Sequence, residues 1–219
     1  MRFFLDTANV EEIRQAAKLG VISGVTTNPS LAAKEGIGTP SGYRDAILEI
    51  ADIVDGPISV EVISVETEAM MEEGWGISRW HPNVVVKLPS TQPGFEAIAQ
   101  LAGEGVPINQ TLCFSVNQAL LGAQAGSTYV SPFVGRLDDA GHDGMSVVGD
   151  IVEVFRKHEI STKVLAASIR NPLHCVMAAK AGAHIATVTF QVLTQMIQHP
   201  LTDQGVARFS QDWEAAAKK

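Results

Sequence analysis

One lysine stands inside one of the most apolar runs of this chain, Val84-Val85-Val86-Lys87-Leu88-Pro89. Three β-branched residues and a leucine predict a strand buried on both faces, as in a parallel sheet. Burial disfavours the charged form of an amine. A neutral amine inside a protein is a nucleophile toward carbonyls, the kind that forms a Schiff base. Two plainer outcomes fit the same run: the side chain snorkels out at the strand's end, or it pairs with a buried carboxylate.

Other polar residues sit at the ends of apolar runs in the same way. They are Asp6, Asn28, Glu61, Asn109, Thr111, Ser131 and Ser168. Strand alternation puts Asn109 and Thr111 on one face, and Ser131 and Phe133 on one face of the next strand. Each is readable alone as a structural polar group; together with Lys87 they have a chemistry. An amine attacks a carbonyl, and a carboxylate such as Glu61 or Asp6 moves the protons needed to lose water from the carbinolamine. The resulting iminium draws electrons from the adjacent C–C bond as it breaks. That is class I aldol chemistry, with neither metal nor cofactor expected.

An anion site is legible beside it. Ser168-Ile169-Arg170 and Arg136 bring two guanidiniums and a hydroxyl, a set that suits a phosphate dianion. The plainer reading pairs these arginines with Asp138, Asp139 or Asp143. His142 lies among the same aspartates but lacks any metal-loop spacing, so the segment reads as a solvated loop. No G-x-S-x-G nucleophile elbow occurs.

The elements that must hold these groups alternate along the chain. Strands are expected at Phe3–Leu5, Val21–Val25, Pro57–Val62, Val84–Pro89, Val106–Cys113, Thr128–Val134, Lys163–Ser168 and His184–Thr189. Amphipathic helical stretches fall between them. The first is opened by Asn9 with Glu12 three residues on, a capping-box spacing, and a later one by Asn171-Pro172. The glycine-rich stretch 36–42 has the wrong spacing for a nucleotide fingerprint and reads as a connection. Eight βα units without a linker predict a single α/β domain over residues 1–219, a (β/α)8 TIM barrel. The active groups then gather at the C-terminal strand ends. A doubly wound open sheet is the alternative, but strand one is followed by Asp6-Thr7-Ala8-Asn9 and not by a glycine-rich turn. An extra C-terminal helix is expected over 203–217, with Val206, Phe209 and Trp213 on one stripe that reads as core or interface.

Composition narrows the partners. Of 219 residues 46% are hydrophobic and only 18% charged, below the usual ~25%, which suggests surface covered by other subunits. A net charge of −8 argues against nucleic acid. Cys113 and Cys175 are too few for a disulfide scaffold. Neither a signal peptide nor a membrane span is expected, and the chain reads as a cytoplasmic protein.

The runs Phe4-Leu5-Asp6-Thr7-Ala8, Gly24-Val25-Thr26-Thr27-Asn28-Pro29-Ser30, Val84 to Pro89, Asn109-Gln110-Thr111-Leu112, Tyr129 to Arg136 and Ala166 to Arg170 resemble the transaldolase family. The likeness extends from Phe3 to Trp213 and is greatest to the short microbial-type members, which are related to fructose-6-phosphate aldolase. The resemblance implies transfer of dihydroxyacetone between sugar phosphates in the pentose phosphate pathway. It implies Lys87 as the Schiff-base lysine, Glu61 relaying protons through a water oriented by Thr111, and Asp6 handling the hydroxyl proton during C–C cleavage. Asn28, Asn109 and Ser131 would bind the dihydroxyacetone hydroxyls, with Phe133 on the wall, and Arg136, Ser168 and Arg170 the phosphate. Short members form pentamers and decamers, so a homo-oligomer is implied.

Gln110 and Thr189-Phe190 depart from the family pattern and leave the pocket wall open. An aldolase releasing free dihydroxyacetone is one competing reading, in which glutamine is expected at position 61 and tyrosine at 133. A non-catalytic barrel scaffold is the other.

Overall fold

The computed structural model describes residues 1–217. Eight parallel strands close on themselves in chain order: β1 (Arg2–Asp6), β2 (Ile22–Thr26), β3 (Ile58–Glu61), β4 (Val84–Pro89), β5 (Ile108–Cys113), β6 (Tyr129–Pro132), β7 (Lys163–Ala166) and β8 (Ile185–Val188). The closed barrel expected from the alternation is therefore present, and the open sheet is not. β1 pairs with both β2 and β8, so neither end of the chain leaves an open sheet edge.

Helices cover the outside: α1 (Val10–Lys18), α2 (Pro29–Lys34), α3 (Pro40–Ile53), α4 (Thr67–Ser78), α5 (Gln92–Gly103), α6 (Val116–Gln124), α7 (Val134–Asp139), α8 (Gly144–Lys157), α9 (Pro172–Ala181), α10 (Phe190–Ile197) and α11 (Pro200–Ala216). Their starts carry chemical signals. Asn9, Asn28, Thr39, Thr91, Ser115, Asp143, Asn171 and Thr189 each accept a backbone N–H from the first turn, a cap worth about 1 kcal/mol. At α1 the capping box is modified. Asn9 accepts from Glu12 N, but the Glu12 carboxylate takes the Thr7 hydroxyl instead of reaching back to the cap.

The main core lies between strands and helices, built from groups such as Ile13, Ile47, Ile58, Val86, Ile98, Ile108 and Ile151. A smaller cluster of Phe4, Val85, Tyr129, Leu165 and Ile185 plugs the barrel interior. Val85 points inward and Val86 outward, so β4 is apolar on both faces, as its sequence predicted.

Four expectations change. Strand six ends at Pro132, and residues 134–139 turn into α7: Phe133 N still donates to Cys113 O of β5, but Val134 N and Gly135 N turn to the Ala167 and Ser168 carbonyls of the loop after β7. Strand seven ends at Ala166, since Ser168 takes a left-handed φ of 58° that no strand continues. Asn28-Pro29, expected only at the end of an apolar run, starts the short helix α2. The C-terminal helix begins at Pro200, three residues before its expected start. No helix among the described residues is long and apolar enough to cross a membrane.

Candidate active site

Strand register builds the centre of the site. Glu61, Lys87 and Asn109 are paired across β3, β4 and β5, one rung near the C-terminal ends of three strands. Lys87 is 4% exposed, and its Nζ lies 2.8 Å from Glu61 Oε2, itself 14% exposed. The ammonium also donates to the Thr27 carbonyl at 3.1 Å. Pairing with a buried carboxylate, offered above as an alternative to a working amine, is therefore the geometry seen. The two readings are compatible, because passing one proton from Nζ to Glu61 leaves a neutral amine beside a carboxylic acid.

Asn109 is fully buried and its amide is hydrogen-bonded at both ends, with one N–H left over. Its Nδ2 donates to Ser59 Oγ at 3.0 Å, and its Oδ1 accepts from Ser131 Oγ at 2.6 Å. Thr111, two residues on, is fully buried with a hydroxyl that has no partner among the described residues. A buried unpaired hydroxyl on the Asn109 face is suited to holding a water molecule.

The first carboxylate is held by the strands that close the barrel. Thr26, opposite Asp6 in the ladder, donates its hydroxyl to Asp6 Oδ1 at 2.6 Å. Thr26 also lies 2.7 Å from the Thr187 hydroxyl on β8. A hydroxyl has one proton, so with Thr26 giving its own to Asp6, Thr187 is the donor to Thr26. Thr26 and Thr187 were missed by the sequence reading. The signal for Thr187 was a polar residue in the apolar run of strand eight, the same signal that found the others.

Above Lys87 opens a cavity of about 270 Å3 that collects Asp6, Asn28, Ser131, Phe133, Arg136, Ser168 and Arg170 from the ends of β1, β2, β6 and β7. Glu61, Asn109 and Thr111 are not on its wall: Glu61 pairs with Lys87, Asn109 with Ser131, and Thr111 follows Asn109 on β5. Asn28 serves twice, since its Oδ1 caps α2 by accepting Leu31 N while its NH2 stays available to a ligand.

The anion end is built by two loops zipped together. Gly135 N donates to Ser168 O and Val134 N to Ala167 O, each near 3 Å. A Cβ at Gly135 would collide with Arg170 and the Ser168 carbonyl, so only glycine lets the loops meet. Arg136 lies over the Phe133 ring, 5.0 Å from its centroid, and that ring packs edge-on to Phe114. Arg170 rests on Asp139 at 2.7 Å, half exposed, so the plainer pairing expected for an arginine holds for this one. The other aspartates have structural work. Asp143 caps α8, while Asp138 accepts Gly144 N and lies 3.5 Å from His174.

Gln110 points away from the cavity. Its amide donates to Ser90 Oγ and Gln118 O beneath α6, in space left by Gly122, where a Cβ would strike it. Thr189 does line the cavity, but its hydroxyl is engaged in capping α10. The first departure is thus remote from the pocket, and the second is part of its wall.

Comparison with known proteins agrees over the whole length. The sequence profile of the family described as Transaldolase/Fructose-6-phosphate aldolase matches residues 3–219. A probable transaldolase of Heliobacterium modesticaldum is 58% identical over 219 residues, covering all of both chains. Those of Dehalococcoides mccartyi and Desulforudis audaxviator are 56% and 58% identical, again over the full length of each.

Proposed function

The chain belongs to the transaldolase/fructose-6-phosphate aldolase family, and within it we propose that the protein is a transaldolase working through a Schiff base on Lys87. The observation that carries this is the buried Lys87–Glu61 pair beneath a cavity with two guanidiniums at its mouth. The Lys87 amine adds to C2 of a ketose phosphate, sedoheptulose 7-phosphate or fructose 6-phosphate. Glu61, through a water oriented by Thr111, protonates the leaving hydroxyl, and water departs to give the iminium. Asp6 takes the proton of the C4 hydroxyl. C3–C4 breaks, its electron pair moves into the enamine, and an aldose phosphate leaves. The enamine then adds to the aldehyde of glyceraldehyde 3-phosphate or erythrose 4-phosphate, and water hydrolyses the new iminium.

Asn28 and Ser131 hold the three-carbon unit by its hydroxyls, Asn109 joins them through the second proton of its amide or by orienting Ser131, and Arg136, Ser168 and Arg170 hold the phosphate. Such an enzyme serves the non-oxidative pentose phosphate pathway in the cytoplasm. It forms a homo-oligomer in which α11 crosses to a neighbouring subunit. The test is one coupled assay with fructose 6-phosphate, run with and without erythrose 4-phosphate. Transfer only with the acceptor supports a transaldolase; equal release of glyceraldehyde 3-phosphate without it means an aldolase, and no turnover means a scaffold.

A further inference from the structure

Helix α2 divides its residues between two cavities. Pro29, Ala32 and Ala33 face an apolar space of about 560 Å3 beside α3 and α4, whereas Ser30, Leu31 and Lys34 line the cavity above Lys87. The second set has the i, i+1, i+4 spacing of one helix face. The backbone under Lys34 is well tethered. Asn28 caps the helix at one end, and Glu35, just past the other, accepts from Asn9 Nδ2 at 2.8 Å. The side chain itself is exposed, and no salt bridge among the described residues includes it.

Lys34 also stands on the rim opposite the arginines. It follows β2, Arg136 follows β6, and these strands are four apart in a ring of eight. The arginines are braced, one on the Phe133 ring and one on Asp139. An ammonium on four flexible carbons is a mobile point charge, unlike a planar guanidinium held in a fork. A donor ketose of seven carbons carries its phosphate one carbon farther from C2 than a ketose of six. Braced cations alone cannot sit equally well under both.

We propose that Lys34 is a specificity-determining residue, a third and mobile cation that closes on the substrate phosphate from the opposite rim and follows it as the sugar length changes. This rests on the transaldolase reading for the identity of the sugars, though not for the presence of an anion site. In an otherwise acidic protein, the cavity mouth then has three cations for one dianion.

The test compares wild type, Lys34→Met and Lys34→Arg. Calorimetry with glycerol 3-phosphate, which has no carbonyl, reads the anion site without turnover. Lys34→Met is expected to weaken binding roughly tenfold, more at low salt than at high, with Lys34→Arg recovering part of the loss. In transfer assays KM for the phosphorylated ketoses rises while kcat holds, by unequal factors for the six- and seven-carbon donors, and the loss with unphosphorylated glyceraldehyde as acceptor is several-fold smaller than with glyceraldehyde 3-phosphate. Unchanged isotherms, or equal losses for the two acceptors, overturn the proposal. Intact phosphate binding in a wild-type protein that performs no transfer counts instead against the transaldolase reading.

Discussion

Lys87 and Glu61 face each other across adjacent strands, Nζ 2.8 Å from Oε2, both mostly withdrawn from water. Borohydride added with fructose 6-phosphate should inactivate the protein and leave a three-carbon adduct on Lys87. An adduct on Lys34 or Lys163, or none, ends the mechanism. Lys87→Ala should abolish transfer yet fold, because Val84, Val85 and Val86 supply most of the burial of β4.

Arg170→Ala should weaken phosphorylated sugars by an amount at the lower end of about 2–5 kcal/mol, since the guanidinium is half exposed and must first leave Asp139. Unphosphorylated acceptors should lose far less. Equal losses for both would make Arg170 structural.

Phe133→Tyr tests what separates transfer from release. A transaldolase keeps its enamine unprotonated until an acceptor arrives, and Phe133 offers the cavity wall no hydroxyl. A phenol there is able to donate a proton or order a water. Cleavage to free dihydroxyacetone should rise and transfer fall. An unchanged ratio of the two rates would mean that the ring serves only to pack on Phe114 and Arg136.

Helix α11 has no buried residue, and Val206, Phe209 and Trp213 are 64, 74 and 79% exposed. Of the two readings of this stripe, core and interface, the first is excluded within one chain. Light scattering at micromolar concentration should report an oligomer, and Phe209→Ser with Trp213→Ser should shift it toward monomer. A wild-type monomer would refute the assembly.

Alkaline conditions give a further check. Burial pushes the Tyr43 phenol from 10.0 up to about 12 and the Cys113 thiol from 9.0 up to about 11. The unfolded chain releases these protons first, so the stability they provide is complete below pH 9.0 and is lost as pH rises toward 12. Urea midpoints should fall through that window, and less steeply above pH 10.0 in Tyr43→Phe. Parallel slopes for the two proteins would contradict the assignment to Tyr43.

The barrel was legible because each strand is an apolar run between polar turns, and Lys87 because a charge inside such a run is conspicuous. Short or long-range features escaped. Six residues give α2 too little length for periodicity, although Asn28-Pro29 is the same helix start that was recognised at Asn171-Pro172. Helix α7 has no side-chain cap, and its first valine continues an apolar strand pattern. The Asp6–Thr26–Thr187 chain joins residues far apart in sequence, so its pairing is written in no one stretch, although Thr187 alone is conspicuous in its apolar run.

The same chain of hydroxyls bears on synthesis at the ribosome. Asp6 is translated first, yet Thr187, which completes its support, arrives almost last. Until β8 emerges, β1 has only β2 beside it and offers an unpaired edge. A nascent or prematurely truncated polypeptide therefore holds Lys87 while Asp6 still lacks the hydroxyl that braces its partner Thr26. On the proposed mechanism, catalytic competence is acquired in one event, when the last strand docks against the first.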